Sequence, residues 1–202
     1  MPISKNSPYG EPGTLPDDGV VVRSDAEARA VLEEARAEGR PFPPLGLLGG
    51  DLCRTLGGPA GEARLRSSEA VGFPVDLGEV LLDGRLHLFV AHLVVRTRGW
   101  GHVVVAMNAQ FVGPWVLGPR AHPNDGLLDV YQADLSLPDR LKVRARLRHG
   151  AHLPHPGFTE RRRAAVSVDL GRARPVRLDG EVVGEARNLA LRVQPDALTV
   201  FI

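Results

Sequence analysis

The chain has 202 residues, 43% hydrophobic and 24% charged, a balance near the globular average that excludes a wholly disordered tail or a collagen-like fibre. Its 25 basic and 24 acidic residues leave a formal charge of +1, too even for a protein that must neutralise several phosphates of a nucleic-acid duplex. The single cysteine, Cys53, excludes an internal disulfide and a zinc ribbon and points to a reducing cytoplasm.

The first eighteen residues carry Pro2, Pro8, Gly10, Pro12, Gly13 and Pro16 and read as an irregular surface arm. They offer no apolar core of signal-peptide length, and the greasiest run, Leu86 to Val95, is interrupted by His87 and His92, so neither secretion nor a membrane span is expected. A reduced α/β segment is expected over 19–62. In it Val20-Val21-Val22 makes a short strand, and Ser24 with Glu27 forms a capping box that opens a helix reaching Glu38. Ala28, Val31, Leu32 and Ala35 share one face of that helix, Gly39 supplies a left-handed stop and Pro41 prevents continuation. Leu45 to Leu48 reads as a buried strand turning at Gly49-Gly50 into a short helix from Asp51 to Leu56, with Asp51 as its cap. Gly57-Gly58-Pro59 and the polar run from Glu62 to Glu69 mark a boundary before a second unit over 72–202.

There the pattern changes to short β-rich runs between turn residues, the rhythm of a sandwich. Strands are expected over 72–77, 79–82, 85–96, 102–111, 127–132, 163–169, 175–178, 188–193 and 197–201, with a hairpin turn at Asp83-Gly84. One helix is expected over 138–147, with Leu141, Ala145 and the stem of Arg148 on its inner face. The fold class is therefore α+β, mainly β: a small N-terminal β-α-β-α segment followed by a β-sandwich.

Several pieces now line up. Val75-Asp76-Leu77-Gly78, Met107-Asn108-Ala109, Asn124-Asp125-Gly126-Leu127-Leu128-Asp129, Gly150-Ala151-His152-Leu153-Pro154-His155-Pro156 and Asp179-Gly180-Glu181 occur in that order. Together they resemble the C-terminal domain of bacterial diacylglycerol and lipid kinases, over residues 72–202. The resemblance implies an N-terminal α/β domain for ATP, a sandwich for the lipid alcohol, and an active site in the cleft between them. It implies Glu181 at or near the general base and Asp76 as a carboxylate that helps hold metal and water. An unactivated alcohol needs such help to attack a phosphoryl group, whose spreading charge Mg²⁺ neutralises. It also implies a magnesium place at Asp125 and Asp129; a tight turn leading a strand accounts for the same residues.

The departure is at the nucleotide side. The family's Gly-Gly-Asp-Gly-Thr turn cradles phosphates on closely approaching amides, whereas here Gly49-Gly50-Asp51 is followed by Leu52-Cys53. Asp51 to Gly57 is more similar to the family's later Asn-Asp-Phe-Ala-Arg-Thr-Leu-Gly helix, and on that alignment the phosphate loop is absent. Gly49, Gly50 and Asp51, with Asn108, Arg120 and His122, are the candidate ligand contacts; turn chemistry explains Arg120 and His122 equally well.

His149, His152 and His155 read as a structural loop rather than a zinc site, Trp100 and Trp115 as aromatic plugs at a sheet edge, and Cys53, in a helix among apolar neighbours, as inert. Arg161-Arg162-Arg163 with Arg144, Arg146 and Arg148 could meet anionic headgroups or simply face solvent. The expected function is a degenerate lipid-kinase-like protein that binds a lipid-like or phosphorylated ligand, or a protein partner, in the former acceptor cleft. It needs no cofactor, with magnesium optional, and its contact with membranes is at most peripheral. The alternatives are an active ATP-dependent lipid kinase with a rebuilt or partner-supplied nucleotide site, and a structural homodimerisation module.

Overall fold

The computed structural model describes residues 9–58 and 61–202, so the first eight residues of the expected arm and Pro59 of the expected boundary lie outside the described residues. From Tyr9 the chain is tied to the sheet: β1 (Glu11–Pro12) pairs with Val71 and Gly72, and Leu15 is buried with its amide donating to the Leu65 carbonyl. Then β2 (Val20–Val22), α1 (Asp25–Ala37) and β3 (Leu45–Leu47) form a parallel βαβ unit. Ser24 Oγ accepts from the Glu27 amide at 3.1 Å, while the Glu27 carboxylate accepts from the Arg23 amide, one residue earlier than a standard capping box. Gly39 ends the helix at φ 66°. Two short helices follow, α2 (Asp51–Thr55) and α3 (Glu62–Leu65); the second falls in the polar run and is anchored by buried Leu65.

The sheet-dominated α+β fold expected from the sequence is the one the chain adopts, with fewer and longer strands. The expected strands 72–77 and 79–82 are one, β4 (Val71–Leu82), because Gly78 is not a break: a Cβ there would meet the Phe89 ring, which lies across the strand at that point. The run expected over 85–96 is instead two strands, β5 (Arg85–Phe89) and β6 (His92–Arg96), parted where the Val90 and Ala91 amides turn away to a side chain. Next come β7 (His102–Met107) and the small hairpin β8 (Phe111–Val112) with β9 (Trp115–Val116), then β10 (Leu128–Asp134), α4 (Leu137–Leu147) and β11 (Phe158–Arg163). β12 (Ala165–Leu178) and β13 (Glu181–Phe201) complete the chain. The two last expected strands are both in β13, joined through an irregularity between Gln194 and Leu198 where Asp196 takes φ 52°. Asp83-Gly84 makes the expected hairpin turn, with φ 46° and 93°.

The sheet runs β1-β4-β13-β12-β6-β7-β10-β11, with β5 on β4. β3 pairs in parallel with Val200 and Phe201 of β13, and β2 lies beyond it. The sheet folds over on itself: Val80, Leu189 and Leu191 from one leaf meet Leu93, Val104 and Val130 from the other. β7 alternates strictly, Val104 and Ala106 facing this inner core while Val103, Val105 and Met107 face outward beneath α4. α1 packs over β5 and β2, and its Ala28 and Leu32 share a core with Val75 of β4 and Val200 of β13. On α4 the buried pair is Val143 and Leu147; the expected inner residues Leu141, Ala145 and Arg148 are exposed, since the i, i+4 row that meets the sheet starts two residues later. Among the described residues no helix is long and apolar enough to cross a membrane.

Candidate functional site

Parallel β2 and β3 bring the N-termini of the helices that follow them, α1 and α2, to the same edge of the sheet. Asp25, the first residue of α1, reaches across that edge: its carboxylate accepts from the Asp51 amide at 2.5 Å and the Leu52 amide at 3.1 Å. Asp25, rather than Asp51, therefore caps α2. Gly49 and Gly50 are needed for this approach, because a Cβ at Gly49 would meet the Arg23 carbonyl and one at Gly50 the Asp25 carboxylate. Asp51 is left free to accept from the Gly113 amide at 2.9 Å and to pair with buried His92, whose Nε2 lies 3.0 Å from Oδ2. One donor atom from each of Asp25, Asp51 and His92 falls within 4.8 Å of the others, although the carboxylates are already bound by amides and by the imidazole.

A second group adjoins the first. Asp179, at φ 52° in the Asp179-Gly180 turn, is buried, and its carboxylate accepts from the Val90, Ala91 and His92 amides. Burial pushes its carboxyl up to about 7, against the opposing pull of His92. Burial lowers the His92 imidazole, but the Asp51 hydrogen bond and the charges of Asp179, Asp51 and Asp25 outweigh it and leave it above its ordinary value. Arg29 of α1, also buried, holds Glu181 at 2.7 Å and Glu33 at 3.3 Å, with its Nε 3.8 Å from Asp179. Glu181 itself is exposed, and its carboxylate is committed to Arg29.

On the other side of the Val90-Ala91 junction sits Asn108, fully buried. Its amide group donates to the Asp76 and Val90 carbonyls, each at 2.8 Å. Asp76 is buried too; it accepts from the Gly126 amide at 2.7 Å and the Asp196 amide at 2.9 Å, and burial raises its carboxyl. Asp76 thus fastens the loop before β10 and the irregularity in β13 to β4. Asp125 and Asp129 stand together at the end of that loop, bridged by Arg162: its Nη2 bonds Asp125 and its Nε lies 3.2 Å from Asp129. Among the described residues neither buried Asp129 oxygen makes a hydrogen bond, Arg162 facing it as a charge alone, and burial raises its carboxyl to about 6. The oxygen set suits a hard cation, in a place Arg162 takes here. His122 accepts from the Asn124 amide and stacks on Tyr9; Arg120 pairs with Glu160 on the surface.

The sequence-derived residues therefore form two groups, Gly49, Gly50, Asp51 and Glu181 on one side and Asp76, Asn108, Asp125 and Asp129 on the other, with Arg120 and His122 outside the first. Sequence reasoning missed Asp25, Arg29, His92 and Asp179 as members. The available signal was His92 itself, a histidine inside an apolar run.

An apolar cavity of about 200 Å³ lies between α4 and the outer faces of β7 and β10, lined by Val105, Tyr131, Val143, Trp100 and Trp115 among others. Among the described residues the buried Tyr131 hydroxyl has no hydrogen-bond partner. Trp100, held at φ 63°, stacks edge-on against Trp115 at 5.3 Å. Trp115 is two residues from Gly113, which bonds Asp51, and Arg54 of α2 stacks over Phe111 and donates to the Gly113 carbonyl. The β8–β9 hairpin thus connects the cavity wall to the polar cluster at α2.

No curated protein matches the chain in sequence. Three solved structures assigned as a diacylglycerol kinase of Bacillus anthracis str. Sterne share its fold at TM-scores of 0.66, 0.64 and 0.62, with 15% identity, over 91% of this chain and 77% of theirs. Residues 79–202, the strands that carry Asn108, Asp129 and the Asp179-Gly180-Glu181 turn, match the family described as the YegS C-terminal NAD kinase beta-sandwich-like domain, and the chain belongs to that family.

Proposed function

We propose that this protein is a lipid-kinase-like protein without phosphoryl-transfer activity of its own, binding a lipid-like ligand whose apolar part fills the cavity beneath α4 and whose polar end points towards α2. The observation that carries this reading is the Asp25 carboxylate on the Asp51 and Leu52 amides. Those amides are where a helix N-terminus would receive a phosphate, and an internal anion holds them. Residues 49–52 therefore do not fit a triphosphate. Glu181 is likewise tied to Arg29, so the base that the family resemblance assigns is neutralised by an ion pair.

Magnitudes favour the same conclusion. A placed base contributes about 10²–10⁴ in rate, whereas holding both reactants supplies about 7–11 kcal/mol; without a donor site the larger contribution is lost. Asp125 and Asp129 would hold magnesium if Arg162 swung aside, and a bound ion there would neutralise their charge and lock the loop before β10. On the acceptor side, the cavity exceeds the roughly 150 Å³ that suffices for benzene in an engineered core, and its aromatic walls suit an acyl segment.

Calorimetric titration with magnesium-ATP and with a short-chain, water-soluble diacylglycerol tests this. Binding of the lipid alone, abolished by Ala133→Phe, which fills the cavity from its β10 wall, is expected. Micromolar ATP binding together with phosphorylation of the lipid would replace the proposal with the active-kinase reading.

A further inference from the structure

We infer that α4 is a membrane-docking helix that seats the cavity mouth on an anionic bilayer surface. This rests on the reading of the cavity as a lipid site and says how the ligand reaches it.

Leu137 and Leu141, one turn apart, are 67% and 66% exposed, far more than a soluble helix of this size needs to leave in water. Both also line the cavity, so its apolar wall continues out onto the helix surface. Arg144, on the same rim, and Arg148 extend that stripe at the i+7 and i+11 positions. Between Leu137 and Arg148 there are five cations and one acid, and that acid, Asp139, already accepts from Ser136 and lies 3.6 Å from Lys142.

Leucines set among cations on a helix too short to span are the mark of an element lying in the membrane interface. The charge selects the occupant: an apolar protein groove would leave Arg144, Arg146 and Arg148 unpaired, whereas anionic headgroups pair with them. Arg140 fixes the orientation, donating to the Leu135 carbonyl at 2.9 Å and the Gly99 carbonyl at 3.2 Å, which ties α4 to the loop presenting Trp100 beside exposed Arg98. An indole at that depth suits the headgroup boundary.

Co-sedimentation of the full chain with phosphatidylcholine vesicles, with and without one-third phosphatidylglycerol, decides the matter. Binding only to the anionic vesicles, weakened by salt, is expected. Leu137→Ser with Leu141→Ser should weaken it about tenfold or more, and Arg144→Glu with Arg148→Glu about thirtyfold or more, at about fivefold per basic residue. All four sites are exposed, so folding is preserved. Absence of vesicle binding, equal binding to neutral vesicles, or variants that bind as the parent does would each overturn the inference. So would self-association in sedimentation velocity that the leucine variant abolishes without any vesicle binding, which would make this face an interface between copies of the chain. The soluble diacylglycerol titration separates the two readings: Arg148→Glu, which lies outside the cavity lining, keeps that binding while weakening vesicle binding about fivefold or more, whereas Ala133→Phe loses it and still sediments with anionic vesicles. Failure of the soluble lipid to bind, with sedimentation intact, removes the cavity reading and leaves the docking helix standing.

Discussion

Asp25 does for α2 what a bound anion would do, and it does so from another helix. Removing it leaves two amides at the start of α2 without an acceptor in a part-buried site. Asp25→Ala should therefore cost about 2 kcal/mol in urea denaturation, and Asp25→Asn, which keeps one acceptor oxygen, clearly less. An unchanged midpoint for Asp25→Ala would mean that water satisfies those amides. In the sequence Asp25 is the residue after the Ser24 cap, and no motif singles it out. Its role at α2 was invisible because it depends on β2 and β3 pairing side by side, a fact of tertiary structure. Asn108 illustrates the opposite case. It stood out as part of a pattern, and the structure gives it a definite task, holding the Asp76 and Val90 carbonyls together in a place with no access to solvent.

For elements, the sequence marked existence better than extent. α1, β2 and β3 were legible from caps, apolar spacing and glycine stops because those signals are local. Gly78 looks like punctuation within β4, whereas it is the Phe89 ring that needs its space. β5 and β6 were read as one because the reason they part, the Asp179 carboxylate drawing off the Val90 and Ala91 amides, sits about ninety residues away in the chain. The apolar spacing places α4 but not the face it turns to the sheet. Its leucines at 137 and 141 and its Val143 and Leu147 form two rows of similar apolarity, and only the sheet beneath chooses between them. The choice has a measurable consequence: Leu147→Ala should cost about 2–4 kcal/mol, while Leu141→Ala should lie within about 0.5 kcal/mol of the parent. Equal losses at the two positions would mean that α4 sits differently on the sheet.

At the scale of the whole molecule, buried ionisable groups couple folding to pH. Asp179 binds its proton more tightly in the folded chain, with a carboxyl at about 7, than in the unfolded one. Stability from this group is therefore greatest at low pH and is lost as pH rises from about 4 to about 7. Asp129, raised to about 6 by burial, acts in the same direction, and raised His92 adds a contribution that fades above its unfolded value. Half-buried His87 and His122 and buried His152, each lowered by burial, pull the opposite way below about pH 6.5 and offset part of that slope. The clean measurement is a difference: Asp179→Asn should lose less stability than the parent between about pH 5 and 7 in denaturant titrations. Identical slopes would show that this carboxyl titrates no differently in the two states.

The pairing of β3 with Val200 and Phe201 also shapes the birth of the molecule. Leu45 and Gly46 leave the ribosome long before Val200 and Phe201, the residues of β13 that pair with them. Until then the nascent N-terminal unit carries an unsatisfied edge, and so long a delay between partners makes it slow to settle and prone to clumping with its neighbours.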